Sequence, residues 1–426
     1  MMEPEEDIPM NPSPPHVLTD VEEEVLHGDA IPGTTFSRQF IIRVLRSWLE
    51  ALERGTYAAP SEEAPPLELD KELEDSLVEL WDMCVTPEVS FVLWELEICQ
   101  LIAATSRDVY APRFVEISLG ILYNLSCIPE LVTRIMTNDA WGLVRSVSAL
   151  LTSSDTPTLV LLVKTLYTWL RHCRGTNISP PVALLECLKA EALDEILRDS
   201  RNEELLLSSL NLAFFMENDC DLPLNLATSS HDLNPCSSLI EAVSQIATLH
   251  SDSPETMKGL RQASYLVGTI LHRHPEARTR CEGYAKFSEP FNIALHDLAS
   301  LDQLEEPDHI ACLFGYQTLA PLLYTPPFKW ISPLLRILNR SHVDGASEPS
   351  KMIRCTLTSI VEASLVDSDM TETLKDYLRS TLSGDQNGKV RAVEIHFKIF
   401  RDIPLTVEDG ITETKTDHTI YNLPKF

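Results

Sequence analysis

The stretch Arg113–Ile135, RFVEISLGILYNLSCIPELVTRI, constrains the fold more than any other part of the chain. Ile117, Ile121, Leu122 and Leu125 recur at helical spacing, which predicts a helix that is amphipathic or wholly buried. Gly120, in its middle, lets a neighbouring helix come close. Asn124 places an amide among Leu and Ile, where it needs hydrogen-bond partners. Pro129 opens a second helix after a very short break, as proline does in a first helical turn. Two helices joined so tightly form a hairpin, and stacked hairpins build binding surfaces rather than enclosed active sites.

The same texture runs along most of the chain. A first helix is expected from Thr34 or Ser37 through Leu49, then helices over 67–83 and from Pro87 through Leu96. Beyond the central hairpin, helices are expected over 139–152, 157–173, 181–199, 202–217, 236–250, 254–273, 286–300, 307–324, 328–340, 348–366, 369–383 and 388–401. Their breaks carry helix punctuation: SSDTP at 153–157, NISPP at 177–181 and SDSPE at 251–255 each combine a capping side chain with proline. The longer apolar helices centre near 122, 166, 212, 267 and 318, a loose period close to that of armadillo and HEAT units. The expected fold is therefore an all-α, armadillo/HEAT-like α-solenoid of degenerate helical hairpins. Only 14 glycines, and little strand-type alternation, agree with it. Residues 1–32 are acidic and proline-rich, and disorder is expected there. The helical domain should run over 33–401, with insertions at 218–235 and 341–349 and a polar tail over 402–426.

A net charge of −30 disfavours direct contact with nucleic acid or anionic membranes and suits a basic partner surface. Ten scattered cysteines without a CxxC pair point to a reducing compartment. The N-terminus lacks the basic and apolar regions of a secretory signal, and no apolar run is long enough to span a bilayer. The expected location is intracellular, not secreted.

The sequence contains no Walker A loop, dinucleotide fingerprint, GxSxG elbow or HExxH. His272 and His274 near Cys281, and His172 with Cys187, are weak metal signals and read as surface or core residues. No enzyme activity, cofactor or metal is expected. Trp81 extends the Leu73–Leu77–Leu80 stripe and reads as core; on that basis Trp81→Ala should cost about 3–5 kcal/mol. Asn124 has two readings. An inner-helix Asn can bond the backbone of an extended peptide, but no ladder of such residues recurs here, and a structural amide bonding a neighbouring loop is at least as good. Glu116, Asn124 and Glu130 are the candidate protein-binding residues, whereas Gly120, Leu122 and Cys127 read as packing.

Several segments together resemble the serum amyloid A-like 1 family. They are Gly28-Asp29 within GDAIPGTTFSRQF; Trp81-Asp82-Met83 followed by Val89, Leu93 and Glu95; Arg113, Glu116, Gly120, Leu122, Asn124, Cys127 and Glu130; and Asp155 with Pro157 in SDTPTL. Order and spacing agree over 28–160. The resemblance implies an armadillo-type fold, a mainly nuclear location with the cytoplasm as a second one, and promotion of cell proliferation in a synovial-fibroblast-type response to inflammatory stimuli. It implies no catalysis.

The leading expectation is a non-enzymatic protein-interaction scaffold presenting an acidic surface to a protein partner, without DNA, membrane or small-molecule substrate. The alternative is a regulatory subunit of a nucleic-acid pathway that contacts RNA directly. A cryptic metal-dependent enzyme ranks last.

Overall fold

The computed structural model describes residues 29–58, 67–138, 142–188, 192–218, 220, 236–248, 253–273, 284–301, 307–320, 328–340, 352–357 and 359–360. Their regular elements are helices, and the only β-type pairing among them is an isolated bridge between Ala30 and Ser37. Contacts cluster into two units, Met1–Leu131 and Val132–Phe426.

The first unit contains α1 (Arg38–Glu53), α2 (Lys71–Met83), α3 (Pro87–Glu95), α4 (Ile98–Asp108), α5 (Pro112–Ser126) and the start of α6 (Pro129–Thr137). Local chemistry sets the helix starts. The Ser37 hydroxyl accepts the Phe40 N–H, the Asp70 carboxylate accepts the N–H groups of Glu72 and Leu73, and Pro87 and Pro112 occupy first turns. Helix α4 was not expected from the sequence. Its break from α3 lies at Glu97, a non-glycine residue at φ 57°, and the two helices meet at 77°. No glycine, proline or other turn-forming residue in Leu96–Glu97–Ile98 marks that corner.

Helix α5 packs on α2, α3 and α4, while α1 packs on α2 and α4. At the centre, the Phe114 ring lies 5.5 Å from Trp48 and 5.6 Å from Tyr57. The Trp48 indole N–H donates to the Thr105 hydroxyl at 2.8 Å, and both side chains are fully buried. Thr105→Val keeps the shape and removes the acceptor. It should cost about 1–3 kcal/mol, the penalty of an unsatisfied buried donor, read as a shift in the urea midpoint.

The second unit holds α7 (Leu143–Ser148) with a 3₁₀ turn over Ala149–Thr152, α8 (Thr156–Thr176), α9 (Val182–Leu188), α10 (Ala192–Asp199), α11 (Glu203–Asn218), α12 (Ser237–Thr248), α13 (Pro254–Arg273), α14 (Ser288–Leu298), α15 (Pro307–Leu319) and α16 (Ile331–Arg340). The expected helix over 181–199 is thus two helices, α9 and α10. Asp155 caps α8 by accepting the Thr158 N–H at 3.0 Å, and Ser253 does the same for Thr256 at 3.1 Å.

Serial packing organises this unit. Helix α8 packs on α11, α11 on α13, and α13 on α15. These are the long apolar helices whose spacing is visible in the sequence, and neighbour-on-neighbour stacking is the mark of a solenoid. Gly268 of α13 faces Gly315 of α15, which lets the two backbones touch. An aromatic cluster of Phe287, Phe291, Tyr316 and Trp330 fills the far end. There the Tyr316 hydroxyl donates to the Phe291 carbonyl at 2.6 Å.

Residues 29–32 belong to the fold rather than to a disordered arm: Ile31 is buried, and the Asp29 carbonyl accepts the Arg38 N–H at 2.9 Å. The expected helices over 369–383 and 388–401, the insertion at 341–349, most of that at 218–235 and the tail from 402 lie outside the described residues.

Candidate functional site

Helix α2 presents two faces, and both arise from its sequence KELEDSLVELWDM. Leu77, Leu80 and Met83 point inward and are buried. Glu72, Asp75, Glu79 and Asp82, spaced three or four residues apart, form an exposed acidic stripe along one side. None of these four carboxylates forms an ion pair with a basic side chain among the described residues. Glu79 and Asp82 lie toward the helix C-terminus, where the dipole disfavours negative charge.

Beside the stripe runs a ridge shared with α5. Arg113 bridges the helices, bonding Glu74 at 2.7 Å and Glu116 at 2.8 Å. Its hydrogen bonds to Glu116 and then Glu74 raise the guanidinium pKa further above its ordinary value. Two turns on, the half-buried Trp81 indole packs against Gly120. A β-carbon at Gly120 would stand 2.6 Å from the indole nitrogen and nearer still to two ring carbons. Asn124 completes the ridge: its Nδ2 donates to the Trp81 carbonyl at 3.1 Å, adding a second donor to an acceptor in the last turn of α2 that also takes the Cys84 N–H at 3.2 Å.

This geometry sorts the expected site residues. Asn124 and Glu116 are committed to contacts within the protein, and the Glu116 side chain is only 19% exposed. Glu130 is exposed at the start of α6. Trp81 is not core: it sits half-buried at the ridge, so its removal should cost less than full burial would imply. Cys127, expected in packing, is exposed at the C-terminal cap of α5. Leu122 and Met83 are buried, Asp82 is exposed, and Asp155 and Pro157 form the first turn of α8. Asp29 accepts from the Ser37 hydroxyl and the Gln39 N–H, whereas Gly28 lies outside the described residues. The acidic stripe itself was missed, although its period is visible in the α2 sequence.

Of the residues behind the weak metal signals, His172, Cys187 and His272 lie among the described residues. His172 bonds the Thr133 hydroxyl at 2.8 Å, His272 lies edge-on to Phe314, and His274 and Cys281 are outside the described residues. Among the described residues no three His, Cys, Asp or Glu side chains are grouped to hold a metal ion, and no single helix is long and apolar enough to cross a membrane.

Fold and ridge together define an all-α helical-repeat protein of the armadillo-like class. No protein-family model matches the chain. In sequence it is similar to the serum amyloid A-like 1 proteins: 28% identical to Protein saal1 of Xenopus tropicalis over 58% of this chain and 56% of that protein. Protein saal1 of Danio rerio is 27% identical over 61% of the chain and 56% of its own length, and Protein SAAL1 of Mus musculus 30% identical over 39% and 35%. The chain thus matches little more than half the length of the first two of these curated relatives and about a third of the last. Among solved structures, a designed armadillo repeat protein, YIII(Dq)4CqI, aligns with 65% of this chain and 99% of its own at 16% identity and a TM-score of 0.37. A computationally designed armadillo repeat protein for modular peptide recognition aligns with 64% and 99% at 15% identity and a TM-score of 0.38.

Proposed function

We propose that this protein is a non-enzymatic interaction scaffold whose α2 stripe takes up a basic surface of a protein partner. The observation that carries the reading is the row Glu72, Asp75, Glu79 and Asp82, exposed, without ion-pair partners among the described residues and partly opposed by the helix dipole. Like charges at this spacing repel one another within the helix, so the stripe lowers local stability. A basic partner relieves that repulsion. Trp81, at the edge of the stripe and held over Gly120, is the kind of rigid aromatic that anchors interfaces. The nuclear location and the proliferation-promoting role under inflammatory stimulation that the family resemblance implies belong to the same proposal.

The test is proximity labelling in cells with the full chain and with the triple variant Asp75→Lys, Glu79→Lys, Asp82→Lys. All three residues are exposed, so the variant should keep its helicity and thermal midpoint. A set of partners should lose enrichment several-fold, and the affinity of a purified partner from that set should fall steeply with ionic strength. An unchanged partner set, or binding indifferent to salt, would sink the proposal.

A further inference from the structure

Helix α1 carries an exposed stripe unlike the rest of this acidic chain. Ile42 and Leu49 are 39% and 43% exposed, seven residues apart on one side of the helix, and the Arg46 guanidinium lies between them on the same side. Residues 38–49 contain three arginines and no acidic residue. Arg38 makes a long, exposed pair with Glu95 at 3.7 Å, and Arg43 lies over the Phe40 ring at 5.5 Å. Arg46 makes no ion pair among the described residues.

The complementary surface is in the same chain. Residues 1–28 hold eight acidic residues and no Lys or Arg. Within them 17–27 reads VLTDVEEEVLH, with Leu18, Val21 and Val25 at helical spacing and Asp20, Glu22, Glu23 and Glu24 between and beside them. Its point of attachment is fixed. The Asp29 carboxylate takes the Ser37 hydroxyl and the Gln39 N–H, and the Ile31 N–H bonds the Phe36 carbonyl at 2.8 Å. The chain before residue 29 therefore starts beside the first turn of α1. An eleven-residue helix is about 16 Å long, ample to cover the roughly 10 Å from Ile42 to Leu49.

We propose that the Ile42–Arg46–Leu49 stripe is the docking surface for residues 17–27 of the same chain, Val25 and Leu18, seven residues apart like Ile42 and Leu49, covering the two apolar side chains and Glu22, between them, meeting Arg46. The short tether makes the encounter intramolecular, with an effective concentration on the order of millimolar, so modest contacts suffice. The surface lies on a different helix from the acidic stripe of α2, and its test is independent of that reading.

Hydrogen–deuterium exchange on the full chain decides it. Amides of residues 17–27 should exchange at least about tenfold more slowly than an unstructured peptide of that sequence. The slowing should vanish in the double variant Arg46→Glu, Leu49→Ser. Slow exchange of the α1 amides in the same samples shows that the helix survives the changes. Restoring charge complementarity with Glu22→Arg in an Arg46→Glu chain should bring back part of the slowing. Unprotected amides over 17–27 in the wild type, or protection that the double variant leaves intact, would overturn the proposal. So would protection that grows with protein concentration, since the arm would then lie on a second copy.

Discussion

Gly315→Ala should lower the stability of the second unit by at least about 3 kcal/mol, the upper range for overpacking a close-packed contact. The added methyl would meet backbone, not the end of a movable side chain. It would stand 3.0 Å from the Tyr265 nitrogen and closer still to the Ser264 carbonyl. Gly268 across the interface is equally tight, its would-be β-carbon 2.8 Å from the Gly315 α-carbon. Neither helix can yield alone, because α13 is buried over nearly its whole length and also packs on α11, α12 and α14. The gain of about 1 kcal/mol from replacing a helical glycine with alanine is too small to compensate. In a thermal scan the midpoint should fall by about 6–12 °C. A variant within about 1 kcal/mol of the wild type would show that α13 and α15 do not meet backbone to backbone.

The second large effect is a reversal of sign at Gly120. In the wild type, Gly120→Ala drives a methyl into the Trp81 indole and should cost about 1–3 kcal/mol as the ring is displaced. Trp81→Ala alone should cost about 2 kcal/mol, less than a fully buried tryptophan, since the side chain is only partly buried. Combined with Trp81→Ala, the alanine at 120 meets open space and should be stabilising by up to about 1 kcal/mol through helix propensity. Four chemical denaturation curves complete the cycle, and strong non-additivity is the expected outcome. Additive costs would mean that the indole does not rest on Gly120. The ridge would then lose the feature that holds its aromatic residue in place.

The helical hairpin at Arg113–Ile135 was legible because its signals are local: a run of apolar residues at helical spacing, a proline in the second first turn, and a break too short for anything but a tight corner. The caps at Ser37, Asp155 and Ser253 were legible for the same reason, since an N-cap is a contact across three residues. Helix α4 was not, because the corner before it is made by Glu97 in a left-handed conformation that tertiary packing imposes and no residue type announces. Gly120 could be read as a close approach, but not what approaches. The sequence suggests another helix backbone, whereas the structure seats the Trp81 ring there.

The site followed the same division. Asn124 stood out as a polar residue in an apolar run, and a need for partners was a sound inference. Its partner, the Trp81 carbonyl 43 residues earlier, appears only when α2 lies against α5, and that contact turns a candidate binding residue into a tie between two helices. Glu116 moved the same way once Arg113 drew it and Glu74 into one network. The sequence by itself determined that this is an acidic, all-α chain of helical hairpins, because composition, period and capping act within a few residues. Tertiary structure alone decided which charges are left unpaired on the surface, where two helices touch through glycine, and which side of α1 is left uncovered. Those properties depend on residues tens of positions apart, and local spacing carries no record of what they will meet.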